Sequence, residues 1–175
     1  MVAVDATFLS LMLHPKARPP FDPNTKKSIE RLADRIEKFL EDIDSEGERI
    51  IVPTPALCEF LVLAGSEGPA YLDKLTNLRP ILVKPFDELA AIELAAIEVE
   101  ARKLGKKRGA VSQPWTKVKF DRQIVAIAKV NSATRLYSDD EDVRTFARRV
   151  GLEVTSAWEL PLPPAKQTDL FEDRD

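Results

Sequence analysis

The residues of this sequence best suited to chemistry are carboxylates that follow short apolar segments. Asp5 comes directly after VAV, and the acidic run Asp139–Asp142 comes soon after TRLY. Four adjacent carboxylates disfavour one another's ionisation, so the run needs a compensating interaction. It could cap a helix, form a solvated charge cluster, or provide one wall of a metal site. The run by itself leaves these three interpretations open.

Two further carboxylates fall within predicted helices. Glu59 is the only charged residue between Pro55 and Ala64, and an isolated charge on a mostly buried helix is costly unless it is paired or binds a metal. Asp121 lies at the predicted start of the helix FDRQIVAIAKV. At that position it could equally serve as an N-cap, and Asp5 could cap the helix that follows it.

Histidine and cysteine are too scarce to build a structural zinc site, because the chain has one of each. His14 falls in a proline-broken segment and is interpreted as a surface residue. Cys58 falls in the apolar run PALCEFLVLAG and is interpreted as a small core residue. Oxygen ligands therefore remain for any metal chemistry, and they favour hard cations such as Mg²⁺ or Mn²⁺.

The apolar patterns predict strands that alternate with helices. Short apolar runs predict strands at VAV, RIIVP, PILVKP, TRLY and LEVTS. Helical spacing predicts an amphipathic helix over 29–43 and a long helix over 86–104, and a basic loop over 105–119 precedes the helix that carries Asp121. Thr54 fits the N-cap of a further helix and Pro55 its first turn. The alternation predicts an α/β fold with a mostly parallel sheet of about five strands, covered by helices on both faces.

Such a sheet would bring the carboxylates to one place. Parallel strands end at a common edge, and ligand sites lie beyond the carboxyl ends of the strands. Asp5 and the acidic run directly follow predicted strands, whereas Glu59 and Asp121 lie in early turns of helices that begin at that edge. Four separate segments therefore direct a carboxylate to the same edge. Each has a structural explanation of its own, but together they favour a metal site.

Composition places the chain among ordinary globular proteins. Its 175 residues are 44% hydrophobic and 31% charged, with a formal net charge of -3, so nucleic-acid contact would need a local basic patch. We expect one domain over residues 1–158 and a disordered or partner-binding tail over 159–175. No apolar run reaches membrane-spanning length, and the first residues lack the basic lead-in of a signal peptide. The expected compartment is the cytoplasm.

Four short motifs, in order, resemble the PIN-domain family of metal-dependent ribonucleases. They are VDATFL, PALCEFL, FDRQIVAIA and LYSDDEDV, and the resemblance covers residues 1–156. It implies a three-layer α/β/α sandwich and a catalytic, metal-binding set of carboxylates: Asp5, Glu59, Asp121 and Asp140. It further implies additional metal contacts from Asp139 and Asp142, and supporting roles for Thr7 and Ser138. Asp139 adds a charge to the family pattern and leaves open whether Asp139 or Asp140 is the ligand.

The function implied by this resemblance is cleavage of RNA phosphodiester bonds with Mg²⁺ or Mn²⁺. Among PIN domains, VapC-type toxins imply tRNA or another structured RNA as substrate, a homodimer, and a small antitoxin protein as partner. The alternatives are a non-toxin RNA-processing protein and a non-catalytic module that binds RNA or protein. A phosphoryl-transfer or receiver-like domain fits less well, because Thr7 occupies the position where an aspartyl-nucleophile phosphatase has a second aspartate.

The basic residues that precede or flank Asp121 suggest how a substrate is held. Lys117, Lys119 and Arg122 could contact phosphates, and Trp115 could stack on an unpaired base. The alternative is a solvated surface loop without a ligand.

Overall fold

A computed structural model describes residues 1–14, 17–103 and 115–164, with the side chains of 101–103 and 115–117 outside that description. The strands are β1 (Val2–Val4), β2 (Ile50–Pro53), β3 (Ile81–Lys84), β4 (Arg135–Tyr137) and β5 (Glu153–Thr155). The helices are α1 (Ala6–Leu13), α2 (Leu32–Ser45), α3 (Thr54–Ala64), α4 (Gly68–Asn77), α5 (Glu88–Lys103), α6 (Trp115–Val130) and α7 (Glu141–Arg149). Short 3-10 helices span Gly65–Glu67 and Ala157–Glu159.

The five strands form one parallel sheet in the order β3-β2-β1-β4-β5. The predicted parallel sheet and its number of strands are confirmed. β1 lies at the centre, and its last residue, Val4, pairs with Tyr137 at the end of β4. Because the strands are parallel and in register, β1 and β4 end at the same edge, where their following residues are neighbours.

Each face of the sheet is covered by helices and has its own core. Alternate residues of a strand point to opposite faces, so Val2 and Val4 enter one core with Phe8, whereas Ala3 enters the other with Ile124. The first core includes residues of α1, α2, α3 and α4, and the second includes residues of α5, α6 and α7. The result is the three-layer α/β/α sandwich that the sequence predicts.

Helix α6 begins earlier than the sequence pattern indicates. Residues 115–119, predicted as loop, belong to this helix, which starts at Trp115. The reason is that Val118 and Val125 lie seven residues apart on one helical face, and both are buried. Asp121 falls on that same face. The interpretation of Asp121 as the N-cap of its helix is therefore wrong, because Asp121 is the seventh residue of α6.

Smaller differences concern helix starts and one buried position. Helix α2 begins at Leu32 rather than at position 29, because Arg31 adopts a left-handed conformation with φ of 50°. Thr54 is the first residue of α3 and Pro53 is its N-cap, so the predicted cap is wrong by one residue. Cys58 is exposed rather than part of the core, since it is offset by about 200° around the helix from the buried Phe60.

The described chain remains packed beyond the predicted domain boundary at residue 158. Leu160 is buried in the first core, and the guanidinium of Arg31 donates to the backbone oxygens of Pro163 (3.0 Å) and Pro164 (3.3 Å). Residues 165–175 lie outside the described part of the chain, so the disorder of the tail stays a prediction. None of the described helices combines the length and apolar character needed to cross a bilayer.

Candidate functional site

Asp5 occupies the centre of the carboxyl edge of the sheet. It follows β1 and is only 3% exposed. Its Oδ1 accepts a hydrogen bond from the backbone N–H of Phe8 at 2.7 Å and so caps α1. Its Oδ2 accepts a hydrogen bond from the hydroxyl of Ser138 at 2.5 Å. The N-cap role considered for Asp5 is confirmed, but it uses only one of the two carboxylate oxygens, and the other faces the end of β4.

Ser138 connects three strands at this edge. The residue is fully buried, and its Oγ accepts a hydrogen bond from the backbone N–H of Asp140 at 3.1 Å while it donates to Asp5. Its own N–H donates to the carbonyl of Thr155 at 3.0 Å, and its carbonyl accepts from the hydroxyl of Ser156 at 3.2 Å. The hydroxyl, the N–H and the carbonyl of Ser138 are therefore all hydrogen-bonded, which fits the supporting role implied by the motif.

The carboxyl group of Asp5 is unusually hard to ionise. Burial raises the pKa of Asp5 from 3.8 to about 7. Hydrogen bonds from the N–H of Phe8 and the hydroxyl of Ser138 lower that pKa, while the negative charges of Asp139 and Asp140 raise it. The effect of these two charges means that the acidic run and Asp5 share one electrostatic environment. A cation beside Asp5 would favour its ionised form.

Asp140 is the N-cap of α7. Its Oδ1 accepts hydrogen bonds from the backbone N–H groups of Asp142 at 2.9 Å and Val143 at 3.3 Å. Glu141 and Asp142 lie exposed in the first helical turn, where negative charge is favourable. Three members of the acidic run therefore stabilise a helix start, so the capping interpretation is correct for part of the run.

Asp139 has different surroundings. Its Oδ1 accepts a hydrogen bond from the backbone N–H of Ala157 at 2.7 Å, and its Oδ2 is buried without a hydrogen-bond partner among the described residues. Burial raises the pKa of Asp139, while the N–H of Ala157 and the charge of Arg144 lower it, and the charge of Glu159 raises it. Asp139 thus binds the start of the C-terminal 3-10 helix.

Glu59 and Asp121 lie on two different helices. Glu59 is the sixth residue of α3, which directly follows β2, and it is half-buried. Asp121 is 6% exposed. It lies about 14 Å along the axis of α6 from Val130. Val130 is near the amino ends of the strands, because it closely precedes the first residue of β4. A three-residue strand spans about 10 Å, so Asp121 lies at the height of the carboxyl ends. Helices α3 and α6 also pack against each other.

Comparison with known proteins identifies the fold. No family model and no curated protein matches the sequence. Among solved structures, a chain of DNA-bound VapBC from Salmonella typhimurium is 16% identical, covers 90% of this chain and 99% of its own, and superposes with a TM-score of 0.53. A chain of VapBC2 from Rickettsia felis, bound to a promoter DNA fragment, is 16% identical, with coverages of 89% and 98% and a TM-score of 0.54.

The chain has a three-layer α/β/α fold that is PIN-like. At 16% identity the likeness is one of fold alone. The fold expected from the four motifs is confirmed over nearly the whole chain, whereas the roles of the site residues remain predictions.

The described carboxylates of this PIN-like fold do not meet at one point. Within residues 1–14, 17–100 and 118–164, no three histidine, cysteine or acidic side chains are grouped closely enough to hold a metal ion. The chemistry of the donors nevertheless fits a hard divalent cation, because all are carboxylates. The electrostatics fit as well, since burial and neighbouring negative charge both act against ionisation of Asp5.

The remaining predicted residues are placed differently from one another. Thr7 is exposed on α1. Arg122, predicted to bind substrate, forms an ion pair with Glu98 of α5 and lies over the ring of Phe146 at 5.3 Å, so it connects α6 to α5 and α7. Lys119 is exposed. The side chains of Trp115 and Lys117 lie outside the described part.

The sequence reasoning missed the contribution of the C-terminal 3-10 helix. Ser156 and Glu159 form a capping box, in which the N–H of Ser156 donates to Oε2 of Glu159 at 2.7 Å. The spacing Ser-x-x-Glu is a signal for this motif and was present in the sequence. The contact of the same segment with Ser138 and Asp139 has no local signal.

Proposed function

We propose that this protein is a metal-dependent ribonuclease whose site is built from Asp5, Glu59, Asp121 and Asp140. The observation that carries the proposal is the burial of the Asp5 carboxyl group and its raised pKa. A fully buried carboxyl at the end of the central strand, with a pKa of about 7 and two further acids in its electrostatic environment, is costly for a fold that binds no cation. Burial of this kind is typical of functional sites.

Each carboxylate has a proposed role. Asp5, Asp121 and Asp140 hold the cation, with a contribution from Asp142, and Glu59 orients the attacking water. Ser138 fixes the rotamer of Asp5 through the 2.5 Å hydrogen bond. When bound, one or two Mg²⁺ or Mn²⁺ ions neutralise phosphate charge and lower the pKa of water. Three of the carboxylates must come closer together than they lie here to hold one ion.

Hydrolysis then needs only water and the phosphodiester. The oxygen of water forms a bond to phosphorus, the bond to the leaving ribose oxygen breaks, and a proton passes from the water to that oxygen. The half-buried Glu59 is the proposed group that accepts hydrogen bonds from the water and aims it. Lys117 and Lys119 are proposed to contact phosphates, and Trp115 to stack on a base.

Cleavage of a mixed RNA pool in the presence of Mg²⁺ or Mn²⁺ tests the proposal. We expect EDTA to abolish cleavage and Asp5→Asn to reduce it at least about a hundredfold, because a catalytic group is removed. Asp44→Asn is the matched control, since Asp44 is an exposed aspartate of α2. Glu59→Gln is compared in the same way with Glu41→Gln, another exposed position of α2.

Two results would contradict the proposal. One is an inert wild-type protein with both metals, in a preparation that folds cooperatively. The other is equal cleavage by wild type and Asp5→Asn, which would assign the activity to a contaminant. Titration calorimetry with Mn²⁺ separates binding from turnover, and we expect Asp5→Asn to weaken Mn²⁺ binding while Asp44→Asn leaves it unchanged.

We further propose that a small antitoxin protein binds this chain, that the chain forms a homodimer, and that its substrate is tRNA or another structured RNA. The support is the likeness to chains of two VapBC assemblies across nearly their full lengths. A small reading frame adjacent to the gene, coexpressed with this chain, should copurify at a fixed ratio and suppress RNA cleavage. Light scattering on the isolated chain tests the dimer. A coexpressed frame that neither binds nor inhibits would refute the antitoxin.

A further inference from the structure

We propose that Asp139 is a positioning residue: through the C-terminal 3-10 helix it keeps Ser138 against Asp5, and it does not itself hold the ion. The inference rests on the proposed function and concerns a residue that the motif leaves undecided between ligand and non-ligand. It assigns two adjacent aspartates, Asp139 and Asp140, to different tasks.

Three hydrogen bonds join residues 138–139 to residues 155–157. The N–H of Ser138 donates to the carbonyl of Thr155 at 3.0 Å, and the hydroxyl of Ser156 donates to the carbonyl of Ser138 at 3.2 Å. The third is the 2.7 Å bond from the N–H of Ala157 to Oδ1 of Asp139. The Asp139 bond is the one of the three made by a side chain of residues 138–139, and the bond from the hydroxyl of Ser156 is the other that depends on a side chain.

The 3-10 helix that donates the bond to Asp139 is itself fixed by several contacts. The capping box between Ser156 and Glu159 fixes its first turn, and Ala157 is completely buried in the first core. The guanidinium of Arg144, from α7, lies 4.8 Å from the centre of the Trp158 ring. Because these contacts hold the 3-10 helix in place, a side chain that is hydrogen-bonded to the helix is restrained as well.

The restraint reaches Asp5 through Ser138. The Oγ of Ser138 both donates to Oδ2 of Asp5 and accepts from the N–H of Asp140. Its direction depends on the backbone at 138–139, which the bond to Ala157 holds in place. The Oδ2 of Asp139 is buried, so the carboxylate would have to rotate to reach an ion at the edge of the sheet. That rotation would break the bond to Ala157 and leave a buried N–H without its acceptor, which is unfavourable.

The test compares Asp139→Asn with Asp139→Ala. Asparagine keeps an Oδ1 that can accept from Ala157, whereas alanine removes the acceptor. Amide hydrogen exchange, measured by NMR without metal, reads the network directly. In Asp139→Ala we expect exchange at Ala157, Asp140 and Phe8 to be about tenfold faster, since each N–H depends on the chain of bonds from Asp139 to Asp5. In Asp139→Asn these rates should stay within about threefold of wild type.

Mn²⁺ titration calorimetry then separates the two assignments of Asp139. As a positioning residue, Asp139→Asn should bind Mn²⁺ within about threefold of the wild-type affinity, the effect of one nearby charge. The Asp140→Asn variant should lose at least about tenfold. The matched control is Glu141→Gln, which removes one charge nearby from a side chain bonded to Arg144 and Thr145.

The outcomes are distinct. Equal loss of Mn²⁺ affinity in Asp139→Asn and Asp140→Asn would make Asp139 a ligand and overturn the inference. Unchanged exchange at Phe8 and Asp140 in a folded Asp139→Ala protein would overturn it too, because the restraint would then not reach Asp5. If wild type binds no Mn²⁺, the proposed function fails, whereas the exchange experiment still decides whether Asp139 positions Ser138.

Discussion

Replacement of Asp5 by asparagine should stabilise the metal-free protein at alkaline pH. Asparagine has the shape of aspartate, can accept from Phe8 through Oδ1 and cannot ionise. Wild-type Asp5 has a pKa raised from 3.8 to about 7 by burial. An acid with a higher pKa in the folded state binds its proton more tightly there, so the free energy of unfolding falls as pH rises from about 4 through about 7.

The magnitude follows from the two pKa values. A shift from 3.8 to about 7 corresponds to a loss of about 4 kcal/mol once both states are ionised, at about 1.4 kcal/mol per pH unit. Between pH 5 and pH 8 the same values give a loss of about 2.5 kcal/mol. The Asp5→Asn variant should escape this loss, so the free energies of unfolding of the two proteins should diverge by that amount.

Urea denaturation followed by far-ultraviolet circular dichroism, with EDTA present, measures the divergence at pH 5, 6, 7 and 8. Asp44→Asn, with its exposed aspartate, controls for removal of a charge. A divalent cation that binds the site should restore the stability of wild type at pH 8 and leave Asp5→Asn unchanged. Parallel pH profiles for wild type and Asp5→Asn would refute the conclusion that Asp5 is costly to ionise.

Three further predictions concern the support of the site, the core and the substrate. Ser138→Ala should lower the free energy of unfolding by about 1–3 kcal/mol in urea titrations at pH 5, because Asp140 N–H loses its buried acceptor; an unchanged midpoint would contradict this. Phe8→Ala should cost about 3–5 kcal/mol in the same assay, since Phe8 is fully buried, and a cost below 1 kcal/mol would show a core that collapses around the deletion. Lys117→Ala with Lys119→Ala should weaken RNA binding and reduce the slope of its salt dependence by about 1–2, and an unchanged slope would remove these lysines from the substrate contact.

Local patterns were sufficient to predict the elements of this fold. Apolar runs marked the strands, and the alternation of strands with helices required a parallel sheet whose strands end at one edge. Asp5 and the residues that follow β4 were therefore expected at the same edge of the sheet. The observed order β3-β2-β1-β4-β5 makes β1 and β4 neighbours. For this reason Ser138, which follows β4, contacts Asp5.

Which face of a helix is buried was harder to predict than the presence of the helix. Cys58 lies in an apolar run that gives no preferred face, so only the packing of α3 decides that Phe60 is buried and Cys58 is exposed. For α6, basic residues between Trp115 and Lys119 concealed a helical turn, in which Val118 is the buried residue among the described side chains. The depth of Asp121 within its helix follows from that turn.

The sequence by itself indicated that Asp5 and the acidic run follow strands that end at one edge of the sheet, because residue type, the succession of elements along the chain and the 3.6-residue helical period are local or nearly local properties. It did not determine what each carboxylate does there. The bond from Ser138 to Asp5 joins residues 133 positions apart, and the bond from Ala157 to Asp139 joins residues 18 positions apart. Hydrogen bonds of this kind depend on distances and angles between separate elements. Only the tertiary structure gives the two neighbours Asp139 and Asp140 different partners.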